Sequence, residues 1–545
     1  MAIEIVAGRM MAKQVGSSLY TWTSVIGVVL AGITVGNLLG GQIADRFEVR
    51  PALGVLFVLA AAATSAIPLL DREMAWWSRW ETPSEAWSWP YRIAAHAIAT
   101  FLLPSTAAGL LGPPIAKMAL GLGRRAGRIV GNVYAWGALG SIAGTFAAGF
   151  YLVAALGSHA VLYSVAALLA ALGFATHPRA ASFALAILWP FAAASGWIDA
   201  LPERRLILGW SLSEGRLEIT ATRLPEVIYE RESQYSCVRV VEDKATGFRK
   251  LYLDNLVHAV WTPAAPLRLD YGYEQIYAAI TERFGKARPG LRSLFLGGGG
   301  YVFPRYVHAK WPEGSIVVAE IDPEVTEAAF AAFGLRREDA WIAGERRARG
   351  ASAEAAGPSG RRMEIYHLDA RNLVEDLVRE KRRRDDFEPF DFIYGDAFND
   401  FSVPYHLVTR EFAEKLKELL RPRTGLYLMN VIDIYASARF LSAMYNTLEQ
   451  VFPHVYVVMT QFEGPAFEPE ARDTFVVIAA LEEKDLEDLG VREEAKALAG
   501  SLLRGERVRH LERRSGGIVL TDDYSPVENL LEPVVRRRGM RPGAK

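Results

Sequence analysis

The chain has 545 residues, a formal net charge of -1, 51% hydrophobic residues and one cysteine, Cys237. That length exceeds one ordinary domain. The balanced charge excludes general attraction to nucleic acid, and the lone cysteine excludes an intrachain disulfide or a cysteine-based zinc cluster. No metal and no prosthetic group is expected. Residues before Leu201 are far more apolar than those after it, where Lys, Arg, Asp and Glu dominate, so two bodies with different solvents are expected.

A helix needs about 20 apolar residues to cross a bilayer. Six stretches qualify: 18–40, 51–70, 91–115, 129–156, 159–176 and 182–198. Together, 1–200 reads as a polytopic α-helical membrane domain. Glycines recur within it, at Gly27, Gly32, Gly36 and Gly40 and again at Gly137, Gly140, Gly144 and Gly149. Such spacing lets spanning helices approach closely. Five tryptophans between Asp71 and Trp89 (Trp76, Trp77, Trp80, Trp87, Trp89) predict a segment along a headgroup layer, or else a lid or partner surface. The basic loop with Lys117, Arg124, Arg125 and Arg128 is expected on the cytoplasmic side, together with Arg46 and Arg50. A sixth full span would then export the second half. The soluble half is nevertheless expected to be cytoplasmic at the inner membrane, with the Pro190-containing segment not a simple span or the count off by one. No cleavable signal is evident; the start, Ile3-Glu-Ile-Val-Ala-Gly-Arg9, reads as the tail of a helix.

From 201 to 262, short alternating runs predict a small antiparallel β part, with strands at 217–220, 227–229, 237–241 and 250–253. Region 263–532 then alternates helix and strand. A helix is predicted around 273–284 and strands at 293–296, 315–319, 364–367, 390–394 and 425–430, the pattern of a Rossmann-like, doubly wound α/β sheet. Runs 454–459 and 474–480 predict a closing hairpin. Residues 334–362, rich in Arg, Ala, Gly and Glu, read as a solvated insertion or as a surface for anionic lipid. The tail 533–545 is basic.

Chemistry concentrates at strand ends. Ser293-Leu-Phe-Leu-Gly-Gly-Gly-Gly-Tyr301 reads as a buried strand running into a glycine turn, and Val317-Val-Ala-Glu-Ile-Asp322 as a second strand ending in acid. Gly297, Gly298 and Gly299 permit close approach of a ligand. Tyr301, Val302 and Phe303 take the places that GxGxxG would leave for a pyrophosphate, which favours a nucleoside over a dinucleotide. Glu320 is the candidate for ribose; Asp322 before Pro323 caps a helix or shares that role. Asp369-Ala370 is the candidate adenine contact, or else a plain turn. Asp396 opens from the fourth strand as the carboxylate placed to take a proton from a nucleophile. Asp391 reads as structural, and Asp400 and His406 as further substrate contacts.

These segments resemble the spermidine synthase (polyamine aminopropyltransferase) family, in particular its membrane-fused bacterial branch. The likeness runs from about Glu226 to Asn529 through Ser233-Gln-Tyr235, Leu251-Tyr-Leu-Asp254, the glycine turn, Glu320-Ile-Asp322, Asp369-Ala370, Asp396 and Thr521-Asp-Asp-Tyr-Ser-Pro-Val-Glu528. Gly16-Ser-Ser-Leu-Tyr-Thr-Trp22 and Gly40-Gly-Gln-Ile-Ala-Asp-Arg46 extend it into the apolar half.

The resemblance implies aminopropyl transfer from decarboxylated S-adenosylmethionine to an amine such as putrescine, releasing methylthioadenosine. It assigns proton acceptance to Asp396 and amine orientation to Tyr235. Ribose falls to Glu320, adenine to Asp369 with Ala370, and substrate contacts to Asp254 and His258. It also implies a homo-oligomer, a dimer in the simplest case. The chain departs from the family at Gly300, where an acid is expected beside the transferred ammonium, at Ser236 and His258, where glutamines are expected, and at Tyr273-Glu-Gln275, where tyrosine-histidine-glutamate is expected. Two other readings stay open: an S-adenosylmethionine-dependent methyltransferase or other alkyl transferase acting on a membrane-associated acceptor, and a non-catalytic membrane protein that senses nucleoside or polyamine.

Overall fold

The computed structural model describes residues 1–15, 19–79, 89–121, 126–186, 206–213, 216–223, 226–254, 256–343, 363–397, 403–460, 468–486 and 500–536. The end of the sixth apolar stretch (187–198), Trp80 and Trp87, Arg124 and Arg125, most of the insertion (344–362), Asp400 and the last nine residues lie outside them. The chain divides into two compact units, Met1–Leu224 with Glu232–Ser236 and Gly539–Lys545, and Pro225–Arg231 with Cys237–Arg538.

Unit one is helical. Five helical segments among the described residues are long and apolar enough to cross a membrane: Leu19–Arg46, Val49–Asp71, Pro90–Leu120, Ala126–Leu152 and Ser158–Thr176. Three glycines of the first series, Gly32, Gly36 and Gly40, lie against a neighbouring segment, while Gly27 does not. A Cβ at Gly36 would stand 2.2 Å from the Thr106 carbonyl oxygen, and one at Gly109 would stand 2.6 Å from that of Ile33. Helices Leu19–Arg46 and Trp89–Gly109 therefore touch backbone to backbone. The second series differs: a Cβ at Gly137 or Gly140 would meet nothing within 4 Å. Lys117 donates to the Ala44 carbonyl at 2.5 Å and lies 3.5 Å from Asp45, so Lys117 stands beside the end of helix Leu19–Arg46. Strands β1 (Leu206–Ser213) and β2 (Arg216–Arg223) form an antiparallel pair.

Unit two holds two sheets. The smaller runs β3 (Glu226–Glu232), β4 (Cys237–Glu242), β5 (Arg249–Leu253), β6 (Leu256–Trp261). The larger has nine strands: β7 (Arg292–Leu296), β8 (Ser315–Ala319), β9 (Ala340–Ile342), β10 (Met363–Tyr366), β11 (Phe392–Gly395), β12 (Leu426–Ile434), β13 (His454–Met459), β14 (Arg472–Ala480) and β15 (Ser501–Leu502). Their order is β15-β13-β14-β12-β11-β7-β8-β10-β9. Strands from β9 to β12 pair in parallel, while β14 pairs antiparallel with both β12 and β13. The hairpin therefore closes by inserting its second strand beside β12, and the sheet is mixed.

Successive residues of a strand face opposite sides, and here both sides are buried. Leu294, Leu296, Val317 and Ala319 enter one core, while Phe295, Ile316 and Val318 enter the other. This explains the nearly unbroken apolar runs in the sequence. Four strands escape the sequence reading: β1, β6, β9 and the two-residue β15. β1 and β6 lack a clean alternation, and β9 is a three-residue run within the stretch assigned to the solvated insertion. Asp391, expected inside a strand, precedes β11. It accepts from the Arg292 N–H at 2.9 Å and Arg421 Nε at 2.6 Å, with Arg288 as a further partner.

Candidate active site

Register sets the site. Leu296 of β7 pairs with Gly395 of β11 and with Ala319 of β8, and Ala319 pairs with Tyr366 of β10. Four parallel strands thus end level, and the residues just beyond them share one edge: Asp396, Gly297, Glu320 and, three past Tyr366, Asp369. This is the carboxyl edge, where ligands bind in doubly wound sheets. β7, with β11 on one side and β8 on the other, stands where the strand order reverses.

The glycine turn is shaped by close contacts. Gly297 has φ +103°, and a Cβ there would lie 2.4 Å from the Asp396 carbonyl oxygen. At Gly298 it would meet the Tyr301 ring and Glu320; at Gly299, nothing within 4 Å. Tyr301, Val302 and Phe303 are core residues beneath the turn, and Tyr301 Oη is 2.7 Å from Thr326 Oγ1.

Glu320 is buried, its two oxygens accepting the N–H groups of Gly298 and Asp322, each at 2.9 Å. Burial pushes its pKa up to about 7 against these N–H groups. Asp322 caps helix Pro323–Ala332, accepting from the Glu324 N–H at 3.0 Å. Asp369 caps helix Ala370–Arg383 through the Arg371 N–H at 2.9 Å, and its second oxygen lies 2.9 Å from His406 Nε2. Burial acts to raise the pKa of Asp369, but His406 and the helix N–H groups bring it below the usual value. Ala370 is buried at the first helical position. Arg371 braces this corner, donating to the His406 carbonyl at 2.9 Å and to Asp522 at 2.7 Å. The Thr521–Glu528 motif thereby acts on the site through Arg371.

Asp396 accepts from the Tyr273 hydroxyl at 2.8 Å and from Asn430 Nδ2 at 2.9 Å. Burial pushes its pKa up to about 6, opposed by those two donors. Tyr273 and Glu274 occupy the first turn of helix Gly272–Gly285. Glu274 is 3% exposed, and its Oε2 has no hydrogen-bond partner among the described residues. Burial, then the Asp396 charge, push its pKa up to about 8, with the Tyr271 N–H acting downward. Asn430 Oδ1 is likewise buried and unpartnered among those residues.

Of the other sequence candidates, Asp254 (φ +53°) forms the β5–β6 turn and accepts from the Cys237 N–H at 2.9 Å. His258 on β6 is held neutral by burial, its pKa lowered to about 4, with Nε2 unpartnered among the described residues. Tyr235 belongs to unit one, and its carbonyl accepts from Arg9. Sequence reasoning saw Tyr273-Glu-Gln275 only as a weakened motif and missed Asn430 and Arg371. Asn430 follows Met429, which pairs with Gly395, so it is level with Asp396. That register is invisible in one sequence.

Fold and edge define a doubly wound α/β unit that carries three acids, Glu320, Asp369 and Asp396, just past the ends of its parallel strands. No family model matches the chain. It is 27% identical over 171 residues to the eEF1A lysine and N-terminal methyltransferase of Bos taurus, covering 31% of this chain and 21% of that protein. It is 27% identical over 165 residues to the polyamine aminopropyltransferase of Vibrio vulnificus, covering 30% and 44%. The chain thus spans less than half the length of these curated relatives. Among solved structures, a probable spermidine synthase from Corynebacterium glutamicum aligns with 20% identity and a TM-score of 0.41, over 56% of this chain and 99% of that one. Human methyltransferase-like protein 13 in complex with SAH aligns with 21% identity and a TM-score of 0.28, over 45% and 90%. Both curated relatives are transferases by name, and the similarity is distant.

Proposed function

We propose that this chain is a membrane-anchored transferase that moves an aminopropyl group from decarboxylated S-adenosylmethionine to an amine such as putrescine. The observation that carries this reading is Asp396, a buried carboxylate held by Tyr273 and Asn430 beside the glycine turn, with Glu320 on the other side of β7. Glu320 takes the ribose hydroxyls and Asp369 the adenine amino group. Ile321 and Leu368, each 39% exposed beside those two acids, offer apolar surface to the base.

An attacking amine must be neutral, although its ordinary pKa is near ~10. Its lone pair bonds to the methylene next to sulfur. The C–S bond breaks with its electron pair going to sulfur, methylthioadenosine leaves, and the nitrogen proton passes to Asp396. A carboxylate already short of water favours a cationic partner. The five apolar helices serve as the anchor in the cell membrane, with unit two on the cytoplasmic side.

Asp396→Asn is expected to lower turnover by roughly 100- to 10,000-fold, the usual worth of general-base help, with methylthioadenosine affinity little changed. Full activity in that variant would remove Asp396 from the chemistry. The match to a methyltransferase over 171 residues supports a second reading, in which the methyl group is transferred instead. Mass spectrometry of products separates the two. Methylthioadenosine supports the first reading and S-adenosylhomocysteine the second, while absence of both with every donor and amine tried would overturn both.

A further inference from the structure

The glycine turn has no room for an acid at its fourth position. A Cβ at Gly300 would lie 2.7 Å from the Phe333 ring and 2.8 Å from the Ala259 Cβ. Any side chain there would point into packed core rather than toward a ligand. Yet every adenosyl sulfonium donor considered above carries a primary ammonium three carbons from sulfur, and a buried ammonium without an anion is costly. The anion must come from another element.

Helix Gly272–Gly285 supplies one. Glu274 adjoins Tyr273, whose hydroxyl is already on Asp396. It is almost wholly buried, with Oε2 unpartnered among the described residues. Asn430, which donates to Asp396 through Nδ2, keeps Oδ1 buried and unpartnered as well. Both vacant atoms on these side chains are acceptors, which suits a donor-rich group such as an ammonium. The charged groups acting on Glu274 are Asp396, Asp270 and Arg305. Arg305 donates through Nε to the Tyr301 carbonyl at 3.1 Å and lies over the Trp261 ring, and no hydrogen bond joins it to Glu274. Helix capping alone would need only one carboxylate oxygen and would leave the other in water, not in the core.

We propose that Glu274 pairs with the primary ammonium of the donor's alkyl arm, taking the part that the glycine turn cannot. This rests on the nucleoside crevice proposed above and holds for either transfer.

The test compares two ligands that differ only at that group: S-adenosyl-3-thiopropylamine, which carries the ammonium, and propylthioadenosine, which lacks it. Titration calorimetry on the full chain in detergent should show tighter binding of the ammonium ligand. Glu274→Gln should erase a preference of about 10- to 100-fold, the range for a charged hydrogen bond, and leave propylthioadenosine affinity as it was. A preference that survives in the variant, or equal losses for both ligands, would overturn the proposal. If the unaltered protein retains neither ligand, the nucleoside reading itself fails. Where Glu274→Gln does not fold, the unaltered protein decides through protons. Near pH 7 the ammonium ligand should release more protons than propylthioadenosine, because Glu274 ionises to meet the cation. Equal release would count against it.

Discussion

Asp396 is held by two neutral donors, and that choice has a kinetic signature. Tyr273 and Asn430 fix one oxygen each and partly offset the burial that pushes the pKa up to about 6. The sign follows directly: below that value the group already carries a proton and cannot take another. The expected kcat/KM therefore falls more steeply as pH drops through about 6, and above that value it rises only as the free amine, with a pKa near ~10, loses its proton. Asn430→Ala removes a donor to the ionised form, so the steeper limb should move to higher pH. A pH-rate profile identical in the variant would show that some other group sets the limb. The three acids at strand ends, Glu320, Asp369 and Asp396, were legible in the sequence because each closes an apolar run. Tyr273, Glu274 and Asn430 were not, since their roles come from the facing of a helix and from the pairing of Met429 with Gly395.

Elements were readable in proportion to length and pattern. The long apolar stretches and the parallel strands of the Rossmann-like sheet have unambiguous periods, whereas β9 offers three residues and no period at all. The place of β14 between β12 and β13 depends on pairing across the sheet, which local sequence does not encode. The glycine series of helix Leu19–Arg46 shows the same limit. Spacing flagged Gly36 and Gly137 alike, yet only Gly36 lies against another helix backbone. Gly36→Val should therefore destabilise the detergent-solubilised protein by the ~1–3 kcal/mol typical of overpacking, read as a lower thermal unfolding temperature. Gly27→Val on the same helix, where a Cβ meets nothing within 4 Å, should leave it unchanged. Equal behaviour of the two variants would mean that the close backbone contact contributes nothing.

At the scale of the whole molecule, one chain joins a helical unit whose exposed side chains include Leu38, Leu103, Tyr134, Trp136 and Phe150 to an α/β unit whose core lies within its own sheet. Large apolar side chains on the outside of a helix bundle match a hydrocarbon solvent. The expected behaviour is retention in the pelleted membranes after an alkaline carbonate wash and release by detergent; recovery in the washed supernatant would contradict the anchoring role. The even finish of the four parallel strands carries a different consequence. Frame and chemistry are separable, because the strands only act as a ruler and each reactive group stands on a tip just past the last rung. An inserted residue inside β11 would turn Asp396 to the opposite face and push it one position past its neighbours. Changes confined to the tips would leave the ruler intact, so the groups at this edge can be exchanged without rebuilding the frame.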